Sequence, residues 1–466
     1  MHAPYGAAAT RGPSFWRSPR AWLREHQLGR GYWIFFTAAF FFDAGFSVYF
    51  FLFNLYLLDF RFDDRAIGFV NGAFTLGAMA GTIPVGILGR RIGMRPLLLA
   101  CFLAAPAVGM LRAVWMWVPA QVALAFISGM AMCLWTVSFL PVVAALTTEK
   151  NRTAGMSMIF SVGVGTSALG GIVCGYLPDW LRYAGFSLTA ANVKRLILIA
   201  SCVVAAAGIA AILRLPLRKG GSVEASPADS PRENWLALFR VRPFLRRFLF
   251  CMALWSALIA AFAPFANVYL SRDLHVSLAS IGLIFSFAQG AQVLAGLLLP
   301  VIIRRAGMLN GILATELAAA SLLLLIAGAH NRELAIVLYL AFSAAQWMSS
   351  PALYNLLMNE TPEPERSTAA GFTMFVNALA ASVATTLAGM LYVRFGYPAV
   401  LAGVSTFAVA AAVSTRILLS RRPDAAHSAE RDPPPGAVVD SAVSAEYDRH
   451  GGSDSRTRAC DARSYP

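Results

Sequence analysis

The stretch Gly89 to Arg95, GRRIGMR, sets three arginines between two long apolar runs, and Arg304 to Met308, RRAGM, repeats most of it in the second half of the chain. The flanking runs, 66–88 and 96–116, are each as long as the roughly 20 residues that cross a hydrocarbon core of about 30 Å. A charge cluster between two such runs reads as a short loop at a membrane surface. Composition agrees, because the 466-residue chain is 58% hydrophobic and 13% charged, whereas a soluble domain carries roughly 25% charged residues.

Runs of this kind predict twelve spans, at 33–58, 66–88, 96–116, 119–145, 154–177, 196–214, 245–270, 279–303, 309–329, 334–357, 368–392 and 396–419. With both ends on one side, that side carries 24 Lys and Arg in its loops and flanks and the other carries 9. Cytoplasmic loops hold the excess of basic residues, so both termini are expected in the cytoplasm. The net charge of +14 sits at span ends, not in a continuous basic patch with interleaved aromatics, which argues against nucleic acid.

One offset relates the two halves. A shift of 214 places Asp59 on Asp273, Ile67 and Gly68 on Ile281 and Gly282, Arg90, Arg91, Gly93 and Met94 on Arg304, Arg305, Gly307 and Met308, Arg152 on Arg366, and Gly175 on Gly389. The expected fold is an all-α polytopic membrane protein with twelve transmembrane helices in two pseudo-symmetric six-helix bundles. Its expected parts are a cytoplasmic N-terminal segment (1–32), an N-terminal bundle (33–214), a cytoplasmic linker (215–244), a C-terminal bundle (245–419) and a disordered cytoplasmic tail (420–466). The first part of the linker, 215–232, is rich in Gly, Ser and Pro, and the ENWLALFRVRPFLRR stretch that follows, 233–247, could lie flat on the leaflet.

At these residues the chain resembles the major facilitator superfamily over about 33–419. That family's signature after its second helix, roughly G-x-L-a-D-R-x-G-R-R, is matched here by Gly86, Leu88, Gly89, Arg91, Gly93 and Arg95. Arg90 stands where the family has an acid, so the resemblance implies a cytoplasmic gate closed by other groups: Arg90 or Arg91 against Glu149 or Glu360, among the loop arginines Arg95, Arg152, Arg304, Arg305 and Arg366. Ala125 stands where the family's fourth helix usually has Arg, and TSALGG lacks the proline of many drug/proton antiporters. Both departures argue against a proton-driven drug exporter.

An ionisable residue at the bilayer midplane is expensive and reads first as functional. Asp43 lies ten residues past Trp33, about 15 Å down a helix rising 1.5 Å per residue. Asp43, Ser47, Phe50 and Asn54 share one helical face. Such a carboxylate can take a proton from one side and release it to the other, or it can be a structural group bonded to a neighbouring helix. Glu316 falls on a helix that the resemblance makes an outer support, from which it could reach a polar neighbour or water. On the helices that line the cavity in this family, Asn71, Gln289, Gln292, Ser343, Gln346, Trp347, Ser350, Tyr354, Thr373 and Asn377 supply polar faces. The paired glycines Gly77 and Gly81, and Gly171 and Gly175, read as close helix packing.

The histidines all fall in tails or loops and five of the six cysteines stand singly in apolar runs, so no catalytic or metal constellation is expected and no cofactor. No removable signal peptide is read. The function implied is secondary transport of a small organic solute across the cell (inner) membrane by alternating access, with a proton as co-substrate at Asp43, by a monomer in the lipid bilayer. Two alternatives stay open, an uncoupled facilitator or exchanger and a non-transporting receptor or assembly protein of the same fold.

Overall fold

Gly93 ends one helix and starts the next with φ +84° and ψ 168°, a backbone region that side chains with a Cβ avoid. Gly307, 214 residues on, does the same with φ +79° and ψ 163°. Gly396, with φ +73° and ψ 168°, breaks the long helix Arg366–Ser420 in two. The computed structural model describes residues 28–148, 151–185, 189–216, 243–362 and 366–420. Residues 1–27 of the N-terminal segment, most of the linker, Glu149 and the tail from 421 lie outside the described residues.

Counted across the Gly396 break, the described residues form twelve membrane-length helices: α1 Arg30–Asp59, α2 Asp64–Ile92, α3 Met94–Val114, α4 Val118–Leu146, α5 Arg152–Tyr183, α6 Ala190–Ile212, α7 Pro243–Arg272, α8 Leu278–Ala306, α9 Met308–Ala327, α10 Arg332–Glu360, α11 366–395 and α12 397–420. They make two pseudo-symmetric six-helix bundles, and the duplication persists in backbone detail. The starts and ends of α2 and α8, and of α4 and α10, are 214 residues apart, as are the starts of α5 and α11. Arg61 and His275, the two non-glycine residues with positive φ among those described, occupy matched turns. Asp63 and Ser277, also matched, cap α2 and α8 by accepting the backbone N–H three residues on.

Within the first half, α1 packs on α5 and α6 while α2 packs on α4. Gly77 and Gly129 let that second pair touch backbone to backbone, Gly77 against Phe126 and Gly129 against Phe74 and Ala78. Small residues serve this purpose in lipid, where helix association rests on packing and hydrogen bonds. The aromatic excess fills the bundle: Phe42 stands 4.6 Å from Phe102 and 4.7 Å from Trp135 between ring centroids. The described cysteines are buried and unpaired.

Twelve helices, each reversing the one before, put the start of α1 and the end of α12 on one face of the molecule, called here the terminal side; the α1–α2 and α7–α8 turns, joined by Arg272 and Asp64, lie on the far side.

Candidate substrate cavity and gate seams

Proline chemistry prepares the join between the halves. Pro264 has no N–H to return to the carbonyl four residues earlier, and α7 narrows to a 3₁₀ turn at Ala263–Phe265. In that region the Ala260 carbonyl accepts from the Thr385 hydroxyl at 2.9 Å and Ala261 from the Tyr392 hydroxyl at 2.9 Å. Pro264's own carbonyl accepts from Asn54 Nδ2 at 2.8 Å, and Asn267 Nδ2 donates to Phe51 at 3.0 Å. Helix α7 is thereby tied to α1 across the halves and to α11 within its own.

Other crossing bonds follow. Ser382 donates to the Gly72 carbonyl at 2.8 Å and Ser286 to the Ala168 carbonyl at 2.5 Å. Asp64 accepts from Arg272 at 3.1 Å and from the Tyr397 hydroxyl at 3.2 Å. All of these crossing bonds lie between the far surface and mid-depth. Two glycine seams run beside them. Gly68 of α2 faces Gly389 of α11, and Gly282 of α8 faces Gly171 and Gly175 of α5, so close that an added Cβ on Gly68 would stand 3.1 Å from the Gly389 Cα and one on Gly282 3.2 Å from the Gly175 Cα. Toward the terminal side, glycines on the same four helices, namely Gly86, Gly165, Gly290, Gly296 and Gly371, have no atom within 4 Å of such a Cβ.

Asp43 is half-buried on α1, with Oδ2 3.7 Å from where a Cβ on Gly163 of α5 would lie. No hydrogen bond or ion pair reaches its carboxylate among the described residues. One turn further, Ser47 donates to the Thr166 and Ala44 carbonyls at 3.0 Å each and sits against Gly170. Asn54 and Asn71 are joined at 3.3 Å and belong to the far-side tie, not to an open cavity.

In the second half, Gln292 Nε2 of α8 donates to Ser343 Oγ of α10 at 2.8 Å. Tyr354 of α10 contacts Asn377 of α11. The carbonyl oxygens of Gln346 and Asn377 are buried with no hydrogen-bond partner among the described residues, although an unmade bond of this kind costs about 1–3 kcal/mol. Gln289 is half-buried, whereas Trp347, next to a 7% exposed Gln346, is 56% exposed. Thr373 only bonds its own helix, at Ala369. Glu316 is 1% exposed, with the polar neighbour Thr415 and Cys251 beside it.

The terminal-side arginines divide. Arg95 donates to the Leu213 carbonyl at the end of α6, and Arg366 to the Thr361 carbonyl at 3.1 Å. Arg304 and Arg305 occupy the last turn of α8, where cations favour the helix dipole. Arg91, Arg152 and Glu360 are exposed; the Arg90 side chain lies outside the described residues. Sequence reasoning missed the Asp64–Arg272–Tyr397 cluster, because its members are separated by more than 100 residues and only Asp64 stands near a recognisable cap.

A Major Facilitator Superfamily sequence profile matches residues 35–385, and the chain belongs to that family of membrane transporters. Solved structures share the fold. A nucleoside transporter, NupG, superposes with a TM-score of 0.69 at 16% identity, covering 84% of this chain and 99% of that one. A D-xylose–proton symporter gives 0.64 at 15%, covering 82% and 96%. A bacterial homologue of the human lysosomal transporter Spinster, in an inward-facing, unoccupied conformation, gives 0.63 at 14%, covering 84% and 95%. At these identities the likeness is one of fold. No curated protein matches the chain in sequence.

Proposed function

We propose that the protein is a secondary active transporter that carries a small organic solute across the cell (inner) membrane by alternating access, with a proton as co-substrate at Asp43 and both termini in the cytoplasm. The observation that carries this reading is the asymmetry between the halves: Gly68, Gly72, Gly171, Gly175, Gly282 and Gly389 are jammed against the opposite half on the far side, whereas toward the terminal side Gly81, Gly89 and Gly155 touch only their own half and Gly86, Gly165, Gly290, Gly296 and Gly371 have nothing within 4 Å of an added Cβ. Two rigid bundles joined at one end form a vessel open at the other, and rocking them about the central site would exchange the two ends. Asp43 supports the coupling step, since a carboxylate at mid-membrane without a partner is kept only where it is used or well enclosed.

Proteoliposomes with an imposed pH gradient test the reading. The solute screen begins with nucleosides and pentoses, the solutes of two structural neighbours. One unit of pH is worth about 1.4 kcal/mol, so one-proton symport accumulates its solute roughly tenfold. Asp43→Asn is expected to abolish that accumulation while leaving solute exchange intact. Unchanged accumulation in the variant would remove Asp43 from the coupling step.

A further inference from the structure

The helices at the join and the cavity hold very few charges at membrane depth. Residues 31–58, 66–89, 118–146, 154–178, 248–271, 278–303, 334–359 and 369–393 contain no Lys, Arg or His, and Asp43 is their one acid. The buried Arg112 lies on α3, packed over the Phe53 ring at 4.1 Å and bonded to Gln121 at 3.4 Å. Lys194 and Arg195 sit at the far end of α6, engaged with Asp59 and Tyr56. An organic anion entering between the halves would therefore lose its hydration with no counter-charge to meet it.

Amides take the place of charge. The face of α10 carrying Ser343, Gln346 and Tyr354 is bridged to α8 through Gln292 and to α11 through Asn377, and both Gln346 and Asn377 keep a buried, unpartnered carbonyl oxygen. Turning either amide over exchanges an unpaired acceptor for an unpaired donor, so the need for a partner remains. On α7, the buried Trp255 indole N–H likewise has no hydrogen-bond partner among the described residues.

Resting on the transport reading above, we infer that the solute is an uncharged molecule rich in hydroxyl or amide groups, held in the C-terminal half by Gln346 and Asn377, and that organic anions are rejected. The side-chain amides turn toward the solute as the halves close on it. Specificity then comes from unpaired groups: a site built to hydrogen-bond a hydroxyl or N–H strongly rejects a ligand that lacks it.

The full-length protein in proteoliposomes tests this with matched pairs, a hexitol with its aldonate and a ribonucleoside with its monophosphate. Thermal stabilisation of the purified protein and uptake are both read. The uncharged member of at least one pair is expected to stabilise and be carried, and the acidic member to do neither. Gln346→Ala and Asn377→Ala are each expected to weaken the apparent affinity about tenfold, the scale of one lost buried hydrogen bond, with the melting temperature of the unliganded protein recording any merely structural effect. Equal handling of the acidic member, binding of neither member of either pair, or unchanged affinity in both folded variants would overturn the inference. Carriage of an anion would do so while leaving the transport reading intact; failure of any solute to move would remove that reading as well.

Discussion

At the scale of single residues, Asp64 is the group whose removal is felt on both sides of the join. It accepts from Arg272 and Tyr397 of the opposite half, and Tyr397 stacks on Tyr392 at 4.1 Å between ring centroids. Arg272 is 49% exposed at its side chain, and partly exposed pairs are worth about 1 kcal/mol or less. Arg272→Ala should therefore raise far-side accessibility only about two- to fivefold, a range that such an energy allows. Asp64→Ala leaves the Tyr397 hydroxyl without its acceptor as well and should open the far side further. Thiol labelling of a cysteine placed at the buried Val276 of the α7–α8 turn measures both, and equal labelling in the two variants and the parent would show that the cluster does not hold the join. Asp43 carries the separate coupling prediction, because it faces α5 of its own half and takes no part in this cluster.

At the scale of helices, the seams make the sharper test. A methyl group on Gly282 would meet the Gly171 carbonyl, and one on Gly389 the Asp64 carbonyl and the Gly68 Cα at 3.0 Å. These neighbours are backbone and cannot swing aside, so Gly282→Ala and Gly389→Ala should force α8 from α5 and α11 from α2 and favour a state open to the far side. Gly371→Ala is the control: it lies on α11 with empty space around it. There the exchange should only firm the helix, by about 0.5–1 kcal/mol. Interspin distances across the far side should lengthen in the first two variants and stay unchanged in the third. Matched behaviour of Gly282 and Gly389 is expected because the repeat relates the seams, Gly68 corresponding to Gly282 and Gly175 to Gly389.

At the scale of the whole molecule, accessibility should depend on side. The described cysteines are buried, so with Cys460 replaced by Ser an introduced thiol reports alone. A cysteine at Gly371 or Gly290 should react with an impermeant reagent supplied from the terminal side and resist it from the far side, and Gly282→Ala should reduce that difference. Labelling of Gly371 from both sides alike would contradict a vessel closed at one end.

Apolar run length, the arginine asymmetry and the 214-residue offset were enough to determine the number of helices, their duplication and their family, because these features arise from bilayer thickness and local backbone chemistry. Gly93 and Gly307 illustrate this: a glycine-only φ recurs wherever the same short loop recurs. The place of Asp43 near the middle of α1 was legible for the same reason. Partners were not. Asn54 and Asn71 read as cavity groups on their own helices, yet Pro264, more than 190 residues away, recruits them into the join, and the Asp64–Arg272–Tyr397 cluster exists only once both bundles are assembled. Which face of a helix meets the other half, and which end of the cavity is shut, depends on contacts between residues remote in the chain, and only the tertiary structure decides them.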